Sequence, residues 1–420
     1  MKYNVFMSDA ESALTKGGNK VNVKSIGLIL LLVFICGISI SNVYAAPPPA
    51  PTDKSVSASF TDFGFNIYRE LLRQRSGKNI FISPTSIAMA ISMVYNGAEK
   101  DTASAMAAVL KMNGVSIENT NKQCKSLMNS LKTADPSVEL SVANSLWCRK
   151  GVLFNEQFIR RVKDSFAAVV SDQMNAAAMN GWVSKNTKGR IVKIIDSVPT
   201  NAVMYVINAV YFKGQWSTRF DKKLTRALDF HISVDKTKKH PMMSRKGKYL
   251  YYKGDTFQAV SIPYGKKRLS MFVFLPDPKS SLRDFHSRLS TSNWNKWMSN
   301  FSEYDGTLLL PRFKCEYEAE LNNSLKSLGM ASAFDPATAD FSGISKEKLY
   351  ISRIKHKTYV DVNEEGTEAA AVTSTEMKMT SLIDAEKSFK MTVDRPFFFA
   401  IVDTRDSSVL FMGSVIEPGK

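Results

Sequence analysis

Apolar residues recur at helical spacing early in the chain and at strand spacing later, so the hydrophobic pattern alone divides it. Phe60, Phe63, Ile67, Leu71 and Leu72 fall on one face of a helix over 58–75, which Gly77 closes. Ser83-Pro84 opens a second helix through Ile87, Met89, Ile91 and Val94, with proline in the first turn, where its missing N–H leaves no bond unmade. Helical patterns dominate to about residue 195. Strand patterns follow at 203–212, 249–252, 257–263, 269–275 and 307–313, a helix reads over 318–329 and stops at Gly329, and 350–362 and 389–416 are β again. No repeat period and no Gly/Ser-rich linker interrupts the body. The pattern predicts one α+β domain, helices mostly first and strands mostly later.

One stretch is apolar with no period at all. Ile26 to Ile40 is a nearly unbroken run behind Lys16, Lys20 and Lys24, and no charge stands between Lys24 and Asp53. Its 15 residues fall short of the ~20 that span a bilayer. Val43-Tyr44-Ala45 puts small residues where a signal peptidase cuts, so residues 1–45 are expected to be an export signal, 46–57 a Pro-rich spacer and the body a secreted protein. The lead before the run is long for a signal; the alternative is an uncleaved anchor with the body held outside a membrane.

Residues 363–380 carry a different pattern. Counting every second residue from Thr367 gives Thr367, Ala369, Ala371, Thr373, Thr375, Met377 and Met379, all uncharged, while Glu368, Glu376 and Lys378 fall on the other parity. That segregation belongs to a strand with one buried and one wet face, and the small residues at its start would slip between existing strands without overpacking. Gly366 supplies a pivot just ahead of it. A solvated Glu/Ala-rich helix or linker is the other reading of the same residues.

Composition narrows the function. At 44% hydrophobic and 23% charged the 420 residues are those of an ordinary globular chain with an apolar core. The net charge is +17, and +15 without the first 45 residues, so the basicity belongs to the body. It gathers at Arg160-Arg161-Lys163, at Lys236, Lys238, Lys239 and His240 with Arg245, Lys246 and Lys248, and at Lys266-Lys267-Arg268. Such runs suit solvated faces or a polyanion; without interleaved aromatics they do not suggest nucleic acid. Four cysteines, Cys36, Cys124, Cys148 and Cys315, are too sparse for a disulfide scaffold, and the first leaves with the signal. Local signatures of nucleophilic, metal-dependent or phosphate-binding enzymes are absent, and of four histidines His231, His240 and His286 sit in polar surroundings that suit solvated side chains. His356, among strand residues, reads as a core histidine. Asn300 and Asn322 begin glycosylation sequons.

The run Val362 to Ala371, Val-Asn-Glu-Glu-Gly-Thr-Glu-Ala-Ala-Ala, resembles the proximal hinge of the reactive-centre loop in inhibitory serpins. Asn79-Ile80-Phe81-Ile82-Ser83-Pro84-Thr85-Ser86-Ile87 is similar to the start of the serpin shutter, and Asn208 to Trp216 to the strand that leads to the breach tryptophan. Leu310-Pro311-Arg312-Phe313, Ala339 to Ile344, Arg395-Pro396-Phe397-Phe398-Phe399 and Leu410 to Gly413 continue the resemblance in order, over roughly 58–418.

The resemblance implies a serpin-like α+β domain over 58–420, about nine helices around three β-sheets, with a large central mixed sheet and an exposed reactive loop over about 364–388. It implies a monomer without cofactor or metal that inhibits serine endopeptidases irreversibly: the protease cuts the loop, forms an acyl-enzyme and is trapped as 367–379 enters the central sheet. Extended, Thr367 to Thr380 spans ~46 Å, enough to cross a large sheet. The hinge is then Glu364, Glu365, Gly366, Thr367, Glu368, Ala369, Ala370 and Ala371; the breach Trp216, Arg312 and Glu364; the shutter Ser83, Ser86, Asn208 and His356. Counting from the hinge puts the reactive bond at Thr380-Ser381, which suits an elastase-like or subtilisin-like protease; slippage to Lys378 or Met379 would suit a trypsin-like or chymotrypsin-like one. Two other readings stay open, a non-inhibitory serpin acting as carrier or chaperone and an inhibitor of cysteine proteases, and some serpins bind heparin.

Overall fold

The computed structural model describes residues 55–74, 77–132, 135–367 and 388–419. Helix α1 (Val56–Gln74) starts two residues before the expected boundary and buries Phe60, Phe63, Ile67 and Leu71 together with Phe65 and Tyr68. After β1 (Ile80–Ile82), Ser83 caps α2 (Pro84–Tyr95) by accepting from the Ser86 N–H, and every residue of this helix is buried. Around it lie α3 (Lys100–Val109), α4 (Ile117–Lys132), α5 (Glu156–Phe166) and α6 (Ala176–Asn186). The remaining helices are α7 (Leu282–Arg288), α8 (Thr291–Met298) and the one-turn α9 (Asn322–Leu325), which brings the described α-helices to nine.

The strands form two hydrogen-bonded networks. The central one has the order β10 (Phe313–Glu320), β11 (Arg353–Asn363), β12 (Gly366–Thr367), β4 (Met204–Gln215), β2 (Val138–Cys148) and β3 (Val169–Ser171). It is mixed: β11 runs parallel to β4 over 353–359 against 205–211 and β3 runs parallel to β2, while β2 pairs antiparallel with β4 and β10 antiparallel with β11. The other joins β1, β15 (Ser408–Val415), β14 (Phe397–Asp403), β8 (Leu269–Pro276), β7 (Phe257–Pro263), β6 (Lys236–Lys253), β9 (Ser302–Pro311) and β13 (Ser388–Thr392), with β5 (Arg226–Ser233) on β6. Where three sheets were expected, the 18-residue β6 belongs to two of them, pairing with β5 and β9 along most of its length and with β7 at 251–253. Strands β8, β14 and β15 are buried throughout, which is why they read as unbroken apolar runs.

β4 shows how the central sheet is held. Met204, Val206, Val210 and Phe212 join the main core, whereas Tyr205, Ile207 and Ala209 join a second core with Trp147, Met179, Val183 and Ile194 beneath α6. Both faces are therefore buried, and at ~25 cal/mol per Å² of apolar surface each Val, Ile, Met or Phe among them contributes roughly 1.5–3 kcal/mol.

Three sequence expectations are corrected here. The helical reading up to residue 195 missed β2, whose eleven residues pair with β4 from Val138↔Gly214 to Cys148↔Met204. The helix expected over 318–329 is strand to Glu320, then α9, then an irregular turn in which Gly329 takes φ 113°. Alternate burial decides it: Phe313, Cys315, Tyr317 and Ala319 face the core, and on the other face Glu316 pairs with Lys357, Glu318 with Lys355 and Glu320 with Arg353. Among the histidines only His231 is exposed; His240 is 2% exposed and His286 half-buried, each bonded to a neighbour, Arg312 O and Ser414 Oγ. Asn322 is buried with both amide atoms bonded, to Ser352 O and the Ile354 N–H, so of the two sequons Asn300 presents an exposed asparagine. Cys124, Cys148 and Cys315 are buried and free, and burial pushes each thiol up to about 12.

Candidate functional site

The seam between β11 and β4 is polar at one level, and the register explains why. His356 on β11 stands opposite Asn208 on β4, and Asn208 opposite Asn144 on β2, so one row of polar side chains crosses three strands. Asn208 Nδ2 donates to Ser86 Oγ at 2.6 Å and to Asn144 Oδ1 at 2.7 Å, and its Oδ1 lies 2.5 Å from His356 Nδ1. His356 Nε2 accepts from the Ser83 N–H at 3.2 Å, and Ser83 Oγ donates to Leu410 O. All four residues expected at the shutter, Ser83, Ser86, Asn208 and His356, are thus brought together, and each is buried. Asn144 was not foreseen, since an Asn in a stretch read as helical carries no signal of its own.

The row needs a neutral imidazole, because Nε2 accepts. Burial pushes His356 down to about 3 and His286 to about 4, against ~6.5 in an unfolded chain. Between those values the unfolded chain binds the extra protons, so stability is complete above pH ~6.5 and falls as the pH drops toward 3, by up to ~1.4 kcal/mol per pH unit for each histidine. Melting temperatures measured from pH 7 to pH 4 are expected to fall steadily, and His356→Gln is expected to melt lower at pH 7 with a shallower acid slope. An unchanged slope would remove His356 from that account.

At one end of the seam a third strand has begun. β12 lies between its neighbours, with Thr367 paired to Val362 and Gly214, and Gly366 paired to Asn363 and Gln215. Gly366 has φ +149°, and a Cβ there would sit 2.1 Å from Gly214 O. Only glycine lets the chain turn back that tightly. Gly366→Ala is therefore expected to expel β12, so that a glutamate-specific endopeptidase newly cuts after Glu365; mass spectrometry reads the cut, and an uncut variant would mean β12 tolerates the methyl.

The surrounding contacts are dense. Trp216 N–H donates to Glu365 O at 3.0 Å, its Nε1 donates to Asn363 O at 2.9 Å, and its ring stacks on Tyr264 at 4.5 Å. The Tyr264 hydroxyl bonds Thr367 Oγ1 at 2.8 Å. Glu364, 1% exposed, takes Arg312 Nε at 2.8 Å and the Thr225 hydroxyl at 2.5 Å, while Glu365 takes Lys222 at 2.6 Å. Burial alone would raise the Glu364 carboxyl; the bonds from Arg312 and Thr225 outweigh it and hold it below the ordinary carboxylate range. Of the three residues expected at the breach, Arg312 pairs with Glu364, and Trp216 bonds the residues on either side of it, Asn363 and Glu365. Tyr264, Thr225 and Lys222 were missed: a Pro-Tyr-Gly turn and a Lys-Lys-Leu-Thr stretch look like any loop until the fold closes on them.

The span expected to be exposed over about 364–388 differs from that expectation at its two described ends. Glu364, Glu365, Gly366 and Thr367 are buried, and Ser388 opens β13. The reason is the backbone turn at Gly366 and the parallel pairing of β13 with β9. Glu368, Ala369, Ala370, Ala371, Lys378, Met379, Thr380 and Ser381 lie outside the described residues.

This arrangement has known counterparts. Serpin B10 of Otolemur garnettii is 34% identical over 399 residues, spanning 86% of this chain and 99% of the relative. The crystal structure of the thermophilic serpin tengpin in its native state superposes with a TM-score of 0.80 at 30% identity, covering 87% of this chain and 94% of that one. Human thyroxine-binding globulin, solved with its ligand, also superposes at 0.80, with 27% identity over 87% of this chain and 99% of that one. The sequence model described as serpin (serine protease inhibitor) matches residues 58–418, the stretch that builds both sheets, the polar seam and the buried turn at 364–367, so the chain belongs to the serpin family.

Proposed function

We propose that this serpin is an irreversible suicide-substrate inhibitor of serine endopeptidases, cut near Thr380-Ser381, with 367–379 as the strand that follows β12 into the seam. What carries the reading is β12 itself: the seam already admits Gly366 and Thr367 between β11 and β4, while farther along it 353–359 and 205–211 pair directly with each other. A polar row across that seam would act as a clasp against early opening, and Arg312 with Glu364 as a latch at the point of insertion. Seven uncharged side chains on the inserting parity meet the requirement that nothing charged be buried without a partner. Strain released by loop insertion is a recognised switch.

The rival is a binding serpin in which the loop never inserts; the complex of thyroxine-binding globulin with thyroxine is the observation in its favour. Incubation with elastase, subtilisin, trypsin, chymotrypsin and papain, followed by denaturing gels and mass spectrometry, separates the two. An SDS-stable adduct with elastase or subtilisin and a cut after Thr380 is expected; adducts cut after Lys378 or Met379 would move the bond, and an adduct with papain would move the class. A clean cut that releases active protease in every case would end the inhibitory reading.

Secretion is proposed on the segment before the family match alone. Residues 1–45 lie outside the described residues, among which no helix is long and apolar enough to cross a membrane.

A further inference from the structure

The basic cluster around β6 is largely neutralised by its own fold. Lys236 and Lys238 meet Glu417, Lys239 meets Asp229, Lys248 meets Glu303, and the Arg245 guanidinium lies over the rings of Phe220 and Tyr249. Lys246 is left over. It stands opposite Thr307 on β9, and on the other side of Thr307 stands Lys390 of β13, so two lysines flank one uncharged residue across three strands. Adjacent strands are ~4.8 Å apart, which puts their Cα atoms about 10 Å from each other. Both are exposed, and neither makes an ion pair with any described residue. The inner face of the same strands is shut by Phe389 stacked on Tyr251 at 4.1 Å, and a Cβ at Gly306 would lie 2.0 Å from the Phe389 ring. The lysines therefore project from a rigid platform. Elsewhere the fold sets opposite charges across its strands, as in the ladder between β10 and β11. Here the two like charges add up on one exposed face, where Asp305, one rung along β9, is the acid beside them, so the patch stays basic and open to an acidic partner.

Position says which partner. Lys390 is nine residues beyond Ser381, at most ~30 Å of extended chain, and a 220-residue protease has a radius of gyration of ~17 Å. We infer that the outer face of β6, β9 and β13, through Lys246 and Lys390, is a docking surface for an acidic patch on the protease that cuts this chain. The inference rests on the inhibitory reading. Long-range attraction of this kind acts on association rate and is screened by salt.

The test uses pancreatic elastase and the same enzyme after succinylation, which turns its lysine amines into carboxylates. Lys246→Glu with Lys390→Glu is expected to slow association with succinylated elastase about tenfold at low ionic strength, with the loss shrinking as salt rises and the stoichiometry unchanged. Lys150→Glu with Lys185→Glu, an equal charge change on other exposed sites, is expected to do nothing of the kind. An equal drop in that control, no drop at all, or an effect confined to added heparin would overturn the inference, the last in favour of a polyanion site. Absence of covalent complex with either elastase would instead count against the inhibitory reading. Binding of anhydro-elastase, whose serine is converted to dehydroalanine, reads the surface without trapping and keeps the two failures distinct.

Discussion

A single cut in the 368–387 segment of the folded protein is expected to raise its melting temperature by more than ~10 °C. Both ends of that segment are held: Thr367 in the central sheet, and Ser388 at the start of β13 on β9. The Val393 N–H bonds Leu309 O, three residues from the Arg312 that holds Glu364, so β13 ends near the hinge. A strand running down the seam from Thr367 to Thr380 would end ~43 Å away, and the eight residues back to Ser388 reach at most ~29 Å. An intact chain can insert fully only by stripping β13 from β9; a cut chain has no such tether. Opening the seam breaks the short parallel pairing over 353–359, whereas a 14-residue central strand bonds on both sides. A net gain on the order of ten hydrogen bonds at ~1 kcal/mol each gives about 10 kcal/mol. For a body of roughly 360 residues, with an unfolding entropy of ~0.75 kcal/mol/K, that is about 13 °C. Calorimetry of intact and nicked protein checks it. An unmoved transition would favour the binding reading, in which the segment stays outside.

The residues that were legible in the sequence are those whose role is written locally. Phe60, Phe63, Ile67 and Leu71 lie on one helical face and are buried as that face; Ser83-Pro84 is a capped helix start; the continuous runs at 269–275 and 397–402 are strands buried on both sides. The meeting of Ser83, Ser86, Asn208 and His356 came through family resemblance, because no periodicity relates residues more than a hundred positions apart. What stayed hidden was set by register. Asn144 matters because β2 pairs with β4 at Asn208, and Lys390 because β13 pairs with β9 at Thr307. Glu316, Glu318 and Glu320 favour a helix on their own and are carried into a strand because Cys315, Tyr317 and Ala319 between them face the core, with Lys357, Lys355 and Arg353 as diagonal partners on β11. The turn at Gly366 was legible as a pivot, but that it already buries Thr367 depends on the close approach of Gly214.

On the proposed inhibitory function, Thr367→Arg is expected to behave as a substrate: cut at the wild-type rate, but with more than ten molecules consumed per protease inactivated and no SDS-stable complex surviving on a gel. Thr367 is fully buried, flanked by Val362 and Gly214, with its hydroxyl on Tyr264 and the Trp216 ring behind. A guanidinium there has lost its water, and Lys222 and Arg312 already claim Glu365 and Glu364, the acids of the adjoining turn. The unpaired charge keeps β12 out, and the strand behind it cannot start. After acylation, insertion competes with hydrolysis of the acyl bond, and each 1.36 kcal/mol added to the insertion barrier slows it tenfold. About 3 kcal/mol, the low end of what an uncompensated buried charge costs, slows insertion relative to hydrolysis by about two orders of magnitude. Thr367→Val separates charge from the lost hydroxyl: it gives up the bond to Tyr264, stays apolar, and is expected to keep most of the covalent complex. If Thr367→Arg trapped elastase or subtilisin at wild-type stoichiometry, entry of this parity into the β11–β4 seam would not be what holds the protease.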